Sequence, residues 1–230
     1  MELFQNVAPK IYSLQDNEKA LNIPPAGIST YYSPNIRNED IELVQKFMTS
    51  KGISPYNTRL FKYGDHRYEL RLASSIVSKA VTHQYENATI TITYGDYQKE
   101  MQQLVDNLVE AEKYVANDVQ KKMLQSYIKH FQYGNIDDHK DAQRAWVQDK
   151  GPVVETNIGF IESYRDPYGV RGEFESFVSM VDKAASQRLQ ALVDGAPKFL
   201  PLLPWGKNFE KDVFLRPDFT SLSVLTFASR

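Results

Sequence analysis

An α+β fold is what the sequence predicts, and three observations carry the prediction. Between residues 53 and 96, short runs alternate apolar and polar side chains with a period of two. From 97 to 148 the apolar residues recur every three or four positions instead. A further helical pattern covers about 172–194, before strand-like alternation resumes at the end of the chain. Strands gathered in one stretch and helices in another suit a sheet flanked by helices, rather than a regular β-α repeat.

Taken in order, the opening to about residue 37 predicts irregular backbone, because Pro24, Pro25, Gly27 and Pro34 interrupt it. Asn38 reads as the N-cap of a helix with Glu39 and Asp40 in its first turn. Ile41, Val44 and Met48 form that helix's apolar stripe, and Gly52 stops it. "NTRLFKYG", "HRYELRLAS" and "ATITITYGDY" follow as strands. Ile90 and Ile92 alternate with Thr89, Thr91 and Thr93, and Gly64-Asp65 marks a hairpin turn.

Met101, Leu104, Val105, Leu108 and Val115 then share a helical face, and Val119, Met123, Tyr127 and Phe131 repeat every fourth residue up to Gly134. "IDDHKDAQRAWVQDKG" starts another helix that ends before Gly151-Pro152. Val153 to Tyr164 is expected to be extended, with a turn at Asp166-Pro167. The long helix of about 172–194 rests on Phe174, Phe177, Val178, Val181, Leu189 and Leu192, with Gly195 and Pro197 as its stop. "FLPLLPWG" is a proline-rich connector, and "FTSLSVLTFASR" alternates like a strand. A chain that finishes on an apolar strand with no turn or cap is expected to be a piece of something larger.

Composition narrows the function classes. The 27 basic and 29 acidic residues leave a net charge of −2 with no block of like charge, so neither nucleic acid nor a membrane is an expected partner. The absence of cysteine excludes disulfides, thiolate metal sites and a cysteine nucleophile. No apolar run is long enough for a membrane span, and "MELFQNVAPKIY" is not a signal peptide, so a soluble, cytoplasmic protein is expected. The four histidines include no HExxH pair, and each reads as an ordinary core or surface side chain. Neither a GxSxG elbow nor a phosphate loop ending in GK[ST] occurs.

One stretch stands apart. "GPVVETNIGFIESYRDPYGVRGEFES", residues 151–176, mixes charges with aromatics at a density that neither a solvated loop nor a core strand needs. As a site, it offers Glu155 to pair with an ammonium group and Asn157 as donor and acceptor, with Val153, Val154, Ile158 and Phe160 anchoring the segment in the core. As structure, it is an ion-pair network in which Arg165 and Arg171 satisfy Glu162 and Asp166, while Glu173 and Glu175 suit the first turn of the following helix. The residues alone leave both readings open.

The same stretch, "RAWVQDKGPVVETNIGFIESYRDPYGVRGEFESFV", resembles the dipeptidyl peptidase III family of zinc aminopeptidases, which release dipeptides from peptide N-termini. "GISTYYSPN", "YNTRLFKYG", "YELRLAS", "TYGDY", "LPW", "FEKD" and "RPDFTSLSVLTFA" extend the resemblance in order along nearly the whole chain. The resemblance implies two lobes around a cleft. Residues 1–175 would form a lower, substrate-binding lobe with a β-barrel-like core and surrounding helices. Residues 176–213 would be a helical crossover of the upper lobe, and 214–230 a strand returning to the lower lobe.

It also implies that Glu155 binds the peptide's amino group and that Tyr32 lines the cleft, with Tyr31 structural. Asn157 stands where some members carry a tyrosine that bonds the scissile carbonyl. An amide can donate to a developing oxyanion, but its reach and rigidity differ, which leaves a transition-state role open. The family's zinc comes from a HExxGH helix and an EECRAE-type segment, and neither is in this sequence. The expectation is therefore a chain that binds oligopeptides but holds no zinc and no catalytic residue itself, and that needs the missing zinc-binding half. A non-catalytic form that binds peptides or partners is the alternative.

Overall fold

The computed structural model describes residues 2–217 and 219–229. Its chain divides into two units, one made of residues up to Gln148 with Ile158–Glu175 and Ser229, the other of Asp149–Asn157 and Ser176–Ala228. Helices and two sheets make the α+β class expected from the sequence.

In the first unit the chain opens with helices α1 (Glu2–Ile11) and α2 (Asp16–Lys19), where breakers had predicted irregular backbone throughout. No residue of α1 is buried, so the helix rests on local spacing rather than on a core. The irregular segment that follows leads to α3 (Asn38–Lys51). Arg37, not Asn38, is its N-cap, and the Arg37 amide donates to Asp40 Oδ2 at 2.9 Å. Gly52 ends α3 with φ 65°, where a residue without Cβ is favoured.

The four-stranded sheet has the order β1 (Thr58–Gly64), β2 (Arg67–Ala73), β4 (Ala88–Asp96), β3 (Val81–Tyr85). β1 and β2 form the expected hairpin, whereas β2 and β4 run parallel because β3 intervenes and folds back on the far side of β4. Sequence reading missed β3, whose "VTHQY" is short, mostly polar and partly exposed. The strands pair as open sheets, with β1 and β3 as edges, and no closed barrel forms among the described residues. Instead, residues beside Tyr32 make a short parallel bridge to Leu60 on the outer side of β1.

Period two decides what each sheet face touches. Leu60, Tyr68, Leu70, Ile90 and Ile92 meet Ile41, Val44, Phe47 and Met48 of α3 in one core. The opposite face is polar and half-buried: Arg59 forms a bidentate pair with Asp96, and the guanidinium of Arg71 lies 3.9 Å from the centre of the Phe61 ring. A second core gathers α4 (Gln98–Ala111), α5 (Asp118–Tyr133) and α6 (Ile136–Trp146) around Met101, Val105, Met123, Tyr127 and Phe131, joined by Ile158 and Phe160.

The three-stranded sheet has the order β5 (Val154–Phe160), β6 (Phe174–Val181), β7 (Leu222–Ser229). The long helix expected from about 172 is overturned here. Residues 174–181 are strand, and α7 covers Lys183–Phe199. "FESFVSMV" spaces its apolar residues as a helix would, but it is aromatic and β-branched, and Asp182 starts α7 by accepting the Ala185 amide at 2.9 Å. The helix runs past Gly195, and Pro197 lies inside it. No helix of the described residues is long and apolar enough to cross a membrane.

Candidate functional site

Val153, Val154, Thr156 and Ile158 favour extended backbone, and β5 is the result. On this strand Glu155 and Asn157 are two residues apart and so share a face. Both are half-buried, and each already has a partner in the structure. On the other face, the hydroxyl of Thr156 donates to the Phe177 carbonyl at 2.7 Å. Ile158 and Phe160 enter the core as expected, but Val153 and Val154 remain about half exposed and anchor nothing. A carboxylate and a carboxamide side by side can hold an ammonium and donate to a carbonyl.

After β5 the chain makes a tight loop within the first unit. Asp166 organises it by accepting amide N–H groups from Tyr168, Val170 and Arg171 at 2.8–3.0 Å. The Tyr32 hydroxyl donates to Asp166 Oδ1 at 2.6 Å and accepts from Arg171 at 3.0 Å. Arg171 is 0% exposed, with its guanidinium 5.0 Å from the Tyr32 ring centre. Burial, against the pull of Arg171, raises the Tyr32 pKa. Tyr32 is itself only 4% exposed, so its side chain supports the loop from beneath. Of the two readings left open by the sequence, the ion-pair one takes a different form here: the Asp166 carboxylate reaches the Arg171 guanidinium through the Tyr32 hydroxyl, and Arg165 approaches Glu173 rather than Glu162.

Three carboxylates, Glu162, Glu173 and Glu175, lie beside this loop. Glu173 precedes β6 rather than opening a helix, and its Oε2 is buried without a hydrogen-bond partner, 3.8 Å from Arg165 Nε. Burial, then the charges of Glu173 and Glu162, push the Glu175 carboxyl up. Burial and the nearby Glu173 and Asp166 raise the Tyr31 hydroxyl to about 12. The burial of Arg171 and Glu173 is what sequence reasoning missed. The available signal was Gly172 between them, where a Cβ would stand 3.0 Å from the Phe160 backbone. Glu155 and Asn157 belong to the second unit, and Tyr32 and this acidic group to the first.

Among the described residues no three His, Asp or Glu side chains are arranged to hold a metal, and the chain has no cysteine. The described residues therefore offer no such cluster for a zinc ion.

The sequence profile of peptidase family M49 matches residues 3–230. This chain belongs to peptidase family M49. Dipeptidyl peptidase 3 of Dictyostelium discoideum is 58% identical over 220 residues, which are 95% of this chain and 32% of that protein. Dipeptidyl peptidase 3 of Homo sapiens is 46% identical over 240 residues, 98% of this chain and 33% of that protein. This M49 chain thus spans about a third of the length of these relatives. Its fold resembles the structure of DPP III from Caldithrix abyssi, with a TM-score of 0.60 at 18% identity, covering 98% of this chain and 43% of that one.

Proposed function

We propose that this chain is the substrate-binding portion of a cytoplasmic zinc dipeptidyl peptidase that removes dipeptides from oligopeptides. Residues 1–175 form its substrate-binding lobe, 176–213 belong to the zinc-bearing lobe, and 214–230 return to the first. Glu155 receives the peptide's terminal ammonium. Asn157, on the same strand face, donates to a peptide carbonyl, and Tyr32 holds the neighbouring loop in place. Hydrolysis draws on a zinc site outside these 230 residues, so the chain alone binds peptide without cleaving it.

The observation that carries this reading is the placement of Glu155 and Asn157 side by side on β5, in a chain matched to family M49 along its length. The test compares oligopeptides with free and acetylated N-termini. In Glu155→Gln, which keeps shape but loses charge, the free peptide should lose about 1.5–3 kcal/mol of affinity. Acetylated peptide should change little. Calorimetry on this chain measures the affinity, and kcat/KM measures it where the chain is joined to a zinc-binding half. Equal losses for both peptides would assign Glu155 to the fold instead.

A further inference from the structure

His130 and His139 lie where α5, α6 and β5 meet. His130 is 1% exposed, and its Nδ1 stands 2.8 Å from the Asn135 carbonyl. A carbonyl only accepts, so Nδ1 carries the proton and Nε2 is a bare acceptor. That Nε2 is buried without a hydrogen-bond partner, and so is Nδ1 of His139. The two ring centres are 5.2 Å apart. β5 closes the third side, because a Cβ on Gly159 would stand 2.5 Å from Cε1 of His139. The strand backbone therefore rests on the imidazole.

Among the described residues no carboxylate is found acting on either ring. Tyr127 and Phe131 of α5 and Phe160 of β5 pack against the rings. Tyr127 alone of these can ionise, and its hydroxyl accepts from Gln143 of α6 at 2.9 Å. Asp138, the preceding residue on α6, has its carboxyl pushed up by burial and answers to Lys129, Asp141 and Asp137. Burial and His130 are what bear on His139, and burial and the Asn135 carbonyl on His130.

We propose that the His130–His139 pair is an acid-sensitive latch: with both rings neutral it joins α5, α6 and β5, and a proton on either ring opens the joint. A proton on Nε2 of the buried His130, or on the enclosed Nδ1 of the half-buried His139, would place a cation at an atom with no hydrogen-bond partner. Burial accordingly lowers both imidazoles, His139 to about 4. Once the joint opens, each ring regains an ordinary affinity near about 6.5. The open state thus binds more protons at acid pH, so stability from the pair is full above about 6.5 and is lost as pH falls toward about 4. β5 also carries Glu155 and Asn157, so acid opening loosens the strand that bears them.

Denaturant unfolding of this chain between pH 7.5 and 5 tests the latch. The unfolding constant should rise up to about tenfold per pH unit for each histidine. His139→Gln should remove one such factor of the slope. His130→Asn, which keeps a donor toward the Asn135 carbonyl, should remove the other. An unchanged slope in both variants overturns the proposal. Should a variant not fold, the histidine Cε1–H resonances of the wild type decide. Two rings whose midpoints lie well below the ordinary value of about 6.5 in the folded chain support the latch, and midpoints near about 6.5 with the fold intact overturn it.

Discussion

Arg171 is the largest side chain that the fold buries completely, and its charge dictates the chemistry around it. Moving a guanidinium out of water is costly unless a carboxylate and hydrogen bonds accompany it. Asp166 and Tyr32 supply them, and the same carboxylate also ties down three loop amides. Asp166→Asn removes the compensating charge and should cost about 3–5 kcal/mol of stability. Tyr32→Phe removes only the shared hydroxyl and should cost about 1–3 kcal/mol. Denaturant unfolding of the two variants measures both, and the ranking is the informative result. If Tyr32 contacted peptide instead, Tyr32→Phe would change peptide affinity with little effect on stability.

At the scale of elements, glycines mark where secondary structures come too close for a Cβ. Gly134 ends α5 with φ 74°, and a Cβ there would stand 1.8 Å from Leu72 Cδ2 of β2 and 2.8 Å from the Ala73 carbonyl. Gly52 ends α3 with φ 65° but has nothing within 4 Å. Both alanine variants incur left-handed backbone strain of about 1–2 kcal/mol. Gly134→Ala adds overpacking of about 1–3 kcal/mol, because the backbone of β2 cannot step aside as a side-chain tip can. Thermal unfolding of the pair should therefore place Gly134→Ala well below Gly52→Ala. Equal losses would mean that α5 can withdraw from the sheet at little cost.

The whole molecule presents apolar surface at its C-terminal end. Phe199, Leu202, Phe209, Leu215, Val224, Leu225 and Phe227 are all at least half exposed, and β7 is an edge strand without a charged residue. Edge strands of that kind recruit another strand, and contiguous apolar patches recruit other surfaces. The isolated 230-residue chain should self-associate in sedimentation runs and bind apolar dyes. Leu225→Lys with Phe227→Lys should reduce both. It should also contain no stoichiometric zinc and release no dipeptide. A monodisperse chain with tightly bound zinc and chelator-sensitive peptidase activity would overturn the proposed division of labour.

Several features were legible in the sequence because they are written at short range. Ile90 and Ile92 alternating with threonines specify a strand, the stripe from Val119 to Phe131 specifies α5, and Gly52 stops α3. Once residues 154–160 are extended, period two alone puts Glu155 and Asn157 on one face. The order of motifs along the chain also pointed to the family that the profile match shows. Residues 174–181 resisted, because Phe174, Phe177, Val178 and Val181 satisfy helical spacing while their side chains favour a strand. Pairing in the β5-β6-β7 sheet decided between the two, and pairing depends on residues far away in the chain. The burial of Arg171 against Tyr32, 139 positions earlier, is of the same kind, as is the meeting of His139 with the backbone of Gly159. Periodicity is a property of neighbouring residues, so sequence alone determines it. Burial and charge pairing arise only when distant segments share one dielectric environment, so only the tertiary structure decides them.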